Sequence, residues 1–176
     1  MKISIKDITS LPDQSKKFTG AIDICDFSYL GSDFSINHIE PFDVVLSMIG
    51  SGKLHITFST NSTIKGQCDR CLSEVTFNVP VSVDETVEVS EGQVVADEDL
   101  GPYSFAEGEE IDVDELILNE ILVNFPAKIL CQDDCKGICP VCGKNRNIEP
   151  CGCDDTVLDP RMAQFLDVFN SFKEVK

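Results

Sequence analysis

Val75-Thr76-Phe77-Asn78-Val79-Pro80-Val81-Ser82-Val83-Asp84-Glu85-Thr86-Val87-Glu88-Val89 alternates apolar and polar side chains along most of its length. A period of two puts successive side chains on opposite faces of a strand. Val75, Phe77, Val79, Val81 and Val83 share one face, and Val87 and Val89 continue it. Thr76, Asn78, Pro80 and Ser82 take the other. The stretch predicts one long, half-buried strand, with Pro80 marking an edge or a bulge because it donates no ladder hydrogen bond.

The same signal extends upstream. Leu54, Ile56 and Phe58 alternate, Ile64 follows, and Gly50-Ser51-Gly52 is a turn after the mostly apolar run 42–49. Cys68 to Cys71 falls at a chain reversal. Residues 2–9 and 18–24 read as further strands, and residues 25–40 as a loop with at most a turn of helix. Tight connections between such runs favour antiparallel neighbours.

Downstream the character changes. Residues 91–110 are acidic and poor in apolar groups, an exposed excursion. Asp112 then starts a helix, with Glu115 at the capping-box spacing. Val113, Leu116, Ile117 and Ile121 recur on one helical face, which Leu118, Leu122 and Val123 widen. Asn124 and Pro126 end it. A second helix is expected from Asp159-Pro160, Asp as N-cap and Pro at the first helical position, with Met162, Phe165, Leu166 and Phe169 as its apolar stripe. The expectation is therefore an α+β fold. It has an antiparallel sheet able to curl toward a barrel, two helices and a C-terminal Cys-rich, zinc-ribbon-like module. Residues 1–126 form the mainly β domain, with the excursion 91–110 and helix 112–124. Residues 127–176 hold the Cys-rich module and the last helix, the two parts packed as one unit.

Charge bounds the partners. The chain of 176 residues has a formal net charge of −17, and residues 81–120 hold 14 acidic side chains with no Lys or Arg. Such a field opposes nonspecific nucleic-acid binding, which depends on cations displacing counterions. It keeps the chain soluble and favours a basic partner. No secretory leader or membrane span is read from the sequence, so a cytoplasmic protein with reduced thiols is expected. A lost leader would readmit disulfides, although nine cysteines is an odd number.

Six of those nine lie between Cys131 and Cys153. Zinc takes four ligands in a tetrahedron, and Cys-x2-Cys turns suit it because both sulfurs converge from one tight loop. Cys139-Pro140-Val141-Cys142-Gly143 has that form, and Cys151-Gly152-Cys153 completes a first site of Cys139, Cys142, Cys151 and Cys153. Cys68, Cys71, Cys131 and Cys135 form a less secure second one. Zinc is thus expected as one or two ions. In the one-ion arrangement a single zinc draws on Cys135 and leaves Cys68 and Cys71 as a reduced pair. Cys25 has no partner by spacing and reads as a small core residue.

Catalytic machinery is not legible. His38 and His55 lie in the sheet region, HExxH is absent, and Gly50-Ser51-Gly52-Lys53 lacks the rest of a phosphate loop. The chain is read as a non-enzyme with no small-molecule substrate and no membrane. The enzymatic alternative is a thiol oxidoreductase using Cys68 and Cys71.

Together these residues resemble the YceD family, the large ribosomal RNA subunit accumulation proteins. The resemblance rests on Cys68-Asp69-Arg70-Cys71-Leu72, on the helix from Ile111 to Leu116 running to Phe125-Pro126, and on Cys135-Lys136-Gly137-Ile138-Cys139-Pro140-Val141-Cys142-Gly143. Asn147, Cys151-Gly152-Cys153 and Asp159-Pro160-Arg161 complete it. It implies a noncatalytic factor for rRNA accumulation and ribosome assembly. Its partner is then large-subunit rRNA or a pre-ribosomal particle, reached through a basic ribosomal protein. The alternative is an acidic docking protein for a basic partner without RNA contact. Arg70, Lys136, Lys144, Arg146 and Arg161 form a candidate basic patch for RNA. Against it, residues 128–161 hold five basic and six acidic residues and no aromatics between the cysteines.

Overall fold

A computed structural model of the protein describes residues 1–9, 15–20, 26–50, 52–97, 99 and 101–154. Cys25, Arg161 and the helix expected from Asp159 lie outside the described residues. The chain divides into two compact units: residues 1–67 with 74–129, and residues 68–73 with 130–176.

Among the described residues, the regular elements all lie in the first unit. In chain order they are β1 (Lys2–Ser4), the single turn α1 (Lys6–Thr9), β2 (Ser15–Gly20), β3 (Asp26–Tyr29), β4 (Ser32–Ile39), β5 (Phe42–Ile49), β6 (Lys53–Gln67), β7 (Glu74–Ser90), β8 (Gln93–Val94), β9 (Ala106–Glu107), β10 (Glu110–Asp112) and α2 (Val113–Val123). β6 and β7 form the spine, paired antiparallel from Lys53↔Glu88 to Gln67↔Glu74 without a break in register. On the opposite edge of β6, β5 pairs with the N-terminal half and β4 with the C-terminal half. β2 extends β5 and β3 extends β4, giving a seven-stranded sheet; β1, β10 and β9 make a small second one.

The alternation of residues 75–89 is realised. Val79, Val81, Val83 and Val87 are buried, Val75, Phe77 and Val89 are half-buried, and Thr76, Asn78, Pro80, Ser82 and Thr86 are exposed. Leu54, Ile56, Phe58 and Ile64 of β6 join the same core with Val44 and Leu46 of β5. Two buried hydroxyls on β6 are satisfied: Thr60 Oγ1 donates to the Glu40 carbonyl at 2.7 Å, and Ser62 Oγ to the Val79 carbonyl at 2.9 Å. Without those bonds each buried hydroxyl would cost about 1–3 kcal/mol.

Pro80 sits without a bulge. The Val95 N–H bonds the Glu88 carbonyl, so Glu88 points away from β6. By strand alternation the even-numbered residues of β7, Pro80 included, point the same way. Among the described residues β8 pairs on that side only at Val89 and Ser90. The missing N–H of Pro80 therefore falls on an edge and interrupts no ladder bond.

α2 forms where its caps predict. The Asp112 carboxylate accepts from the Asp114 N–H, and Asn124 closes the last turn on the Glu120 carbonyl. Val113, Leu116, Ile117 and Ile121 are buried, each contributing about 1.5–3 kcal/mol of apolar burial. Leu118 and Leu122 are half-buried, but Val123 is exposed, so the widened face stops short of it. Just past the helix, Phe125 meets four rings edge-on: Phe34 at 4.8 Å, Tyr29 at 5.0 Å, Phe77 at 5.6 Å and Phe27 at 5.8 Å between centroids.

Three expectations are corrected. The fold is mostly β rather than α+β: among the described residues helix is confined to the turn α1 and to α2. The residues read as a loop, 25–40, instead carry the β3–β4 hairpin, joined by Leu30 and Gly31, both at positive φ. Nor is the sheet closed into a barrel. β4 and β5 share one edge of β6, so the path splays and ends on β2 and β3 instead of curling round to β7.

Candidate metal centres

All eight described cysteines belong to the second unit and are free thiols. They form two groups in which the sulfurs all lie within 4.8 Å of one another: Cys68, Cys71, Cys131 and Cys135, and Cys139, Cys142, Cys151 and Cys153.

The two Cys-x2-Cys loops are built alike. In the first, the Leu72 N–H bonds the Cys68 carbonyl at 2.9 Å and the Cys68 N–H bonds the Ser73 carbonyl at 2.8 Å. In the second, Gly143 returns to Cys139 at 2.8 Å and Cys139 bonds the Lys144 carbonyl at 2.8 Å. Both loops turn through a left-handed residue after the second cysteine, Leu72 at φ 59° and Gly143 at φ 71°. Such a turn aims both sulfurs, and several backbone N–H groups, at one point.

Distances decide what four converging sulfurs can do. Cys68 Sγ lies 3.8 Å from Cys135 Sγ, and Cys71 Sγ lies 3.5 Å from Cys131 Sγ. A disulfide needs about 2.05 Å. Four sulfurs each about 2.3 Å from a central zinc stand about 3.8 Å apart. Both distances in the first group lie near that spacing and far from a disulfide, and both groups could hold a metal ion.

The electrostatics agree. The Ser73 hydroxyl pulls the Cys71 thiol down to about 6, and the Cys142 N–H does the same to Cys139, also to about 6. Burial raises Cys68, but N–H groups of Cys71, Arg70 and Cys131 outweigh it and the net shift is downward. Cys131, bonded to the Cys135 thiol, and Cys153, bonded to the Cys142 thiol, are pushed up to about 12. Each group thus has one thiol ready to ionise beside another that keeps its proton. A divalent cation bound there would replace those shared protons.

Outer partners hold the sulfurs in place. Asn147 Nδ2 donates to Cys135 Sγ at 3.2 Å, and Arg146 Nη2 to Cys139 Sγ at 3.6 Å. Asn145 Nδ2 donates to Ser73 Oγ at 3.2 Å, and Ser73 Oγ lies 3.3 Å from Cys71 Sγ. Arg70 Nη1 bonds the Cys135 carbonyl at 2.9 Å. Sequence reasoning missed Ser73 and Asn145, since a polar side chain in a loop carries no periodic signal.

The expected basic patch is thereby reassigned in part. Arg70 and Arg146 serve the cysteine loops, and Lys144 pairs with Glu149 at 3.0 Å. Lys136 is exposed, and Arg161 lies outside the described residues. His38 and His55 sit on β4 and β6; the latter pairs with Asp84 at 2.8 Å. Among the described residues neither belongs to a group able to hold a metal.

Comparison with known proteins supplies the context. The family described as large ribosomal RNA subunit accumulation protein YceD matches residues 56–169. The uncharacterized protein YlbN of Bacillus subtilis is 26% identical over 165 residues, 93% of either chain. Uncharacterized proteins of Mycobacterium tuberculosis and Mycobacterium bovis are each 27% identical over 126 residues, 72% of this chain and 60% of theirs. The matched stretch thus spans less than two thirds of the mycobacterial relatives. No solved structure matches the chain. No helix among the described residues is long and apolar enough to cross a membrane. The family match runs from β6 through both thiol groups and takes in well over half of the chain, and on that ground the protein belongs to the YceD family.

Proposed function

We propose that the protein is a noncatalytic, zinc-binding factor in the accumulation of large-subunit rRNA and in ribosome assembly. The single observation that carries the role is the family match over residues 56–169. The convergent thiols support the metal. Cys139, Cys142, Cys151 and Cys153 hold one zinc, and Cys68, Cys71, Cys131 and Cys135 a second. Four thiolates leave no open coordination position, so the metal supplies cross-linking rather than chemistry. A thiol oxidoreductase reading is disfavoured by burial: Cys68 is 0% and Cys71 5% exposed, whereas an exchanging thiol must be reached.

The partner reading favours a basic ribosomal protein over direct RNA contact. Two arginines of the candidate RNA patch are engaged by the cysteine loops, as described above. Between Thr76 and Asp84 the outer edge of β7 offers a row of backbone groups, and the stretch 81–120 beside it holds 14 acidic residues with no Lys or Arg. An extended basic segment could add to such an edge by strand pairing and be held by charge. The test is a strain lacking this protein. The proposal expects a lowered ratio of large- to small-subunit rRNA, restored by the intact gene; an unchanged ratio refutes the role. Steeply salt-dependent binding of rRNA fragments to the purified chain alone would refute the protein-mediated contact.

A further inference from the structure

Asn145, Arg146 and Asn147 stand between the two thiol groups and donate toward both. Asn147 Nδ2 reaches Cys135 Sγ and also Asn145 Oδ1, at 2.9 Å. Asn145 reaches Cys71 through Ser73. Arg146, between them, turns the other way to Cys139 Sγ. The backbone is tied on both sides. Arg146 N–H bonds the Gly137 carbonyl at 2.9 Å, and Ile138 bridges to Asn145. The Lys136 N–H bonds Asn147 Oδ1 at 2.8 Å.

We propose that this tripeptide couples the two groups, so that zinc in either raises the affinity of the other. The inference rests on the two-zinc reading above. Residues that orient ligand sulfurs are costly to order when the metal is absent and already ordered when it is present. Zinc at Cys68, Cys71, Cys131 and Cys135 fixes the sulfur that Asn147 serves and the hydroxyl that Asn145 serves. Arg146 is then held toward Cys139 before the second ion arrives. By linkage the second ion stabilises the first to the same extent. Asn147 is in this sense a positioning residue for both metals, although it ligates neither.

Competition for zinc between the full chain and a chelator tests the coupling. Cys71→Ser with Cys131→Ser empties one group and leaves all four thiols of the other. The expected result is a zinc affinity at Cys139, Cys142, Cys151 and Cys153 lower by about 5- to 150-fold. Asn147→Ala keeps every thiol and should loosen both ions, the one held by Cys135 by about 10- to 100-fold. Circular dichroism of the sheet shows whether the double variant is folded; if it is not, Asn147→Ala decides alone. An unchanged affinity in the folded double variant, or an Asn147→Ala chain that loosens one ion only, overturns the coupling. A wild-type chain with two zinc ions and either of those results leaves the metal reading standing. A wild-type chain without zinc overturns the metal reading itself.

Discussion

Adding one methyl group at Gly137 should damage the metal module far more than adding one at Gly143. Both glycines are left-handed, at φ 73° and 71°. An alanine there costs about 1 kcal/mol of backbone strain. The surroundings differ. A Cβ at Gly143 meets nothing within 4 Å, whereas one at Gly137 comes 3.0 Å from the Arg70 carbonyl oxygen. That oxygen already accepts from the Ile138 N–H at 3.0 Å, so it cannot retreat without losing the bond. Crowding a packed site adds about 1–3 kcal/mol. Gly143→Ala should therefore weaken zinc retention about fivefold, and Gly137→Ala, at about 3 kcal/mol in total, about 150-fold. Chelator competition on both variants and the wild type measures the difference. Equal losses, or the larger loss at Gly143, would refute the reasoning that the Cys68–Ser73 loop is pinned through Arg70.

Other expectations concern the sheet domain and the thiols. Asp112→Ala should destabilise the first unit by about 1 kcal/mol in denaturant unfolding, and Asp112→Asn by much less, because Asn also caps. Phe125→Ala removes the ring at the centre of four others and should cost about 3 kcal/mol. By contrast Val123→Ala, at a 79% exposed position, should stay within about 0.5 kcal/mol. Cys131 and Cys142 are exposed, so burial does not shield them. They should nonetheless resist alkylation until a chelator is added, and immediate modification by mass spectrometry would count against ligation.

What could be read from sequence followed local rules. β7 and the first part of β6 announced themselves by alternation along most of their length, and α2 by Asp112 and Asn124 at its ends. Cys-x2-Cys and Cys-x-Cys spacings single out Cys139, Cys142, Cys151 and Cys153, whereas Cys68, Cys71, Cys131 and Cys135 are grouped in the sequence only as the thiols that remain. The β3–β4 hairpin escaped because Leu30 takes a left-handed conformation that sequence statistics do not expect of leucine. Closure of the sheet escaped for a different reason. It depends on which distant edges pair, and nothing in residues 32–49 says that β4 and β5 share one edge of β6. The bonds of exposed Arg70 to the Cys135 carbonyl and of half-buried Arg146 to the Cys139 sulfur escaped because a sequence does not say whether a guanidinium meets water, a carbonyl or a sulfur.

The central claim is that four thiolates close around each of two divalent ions. Elemental analysis of protein purified without added metal tests it most directly. The account predicts close to two zinc ions per chain, falling to one when either group loses its cysteines. A metal-free chain that is folded, with all its thiols reactive, would contradict it.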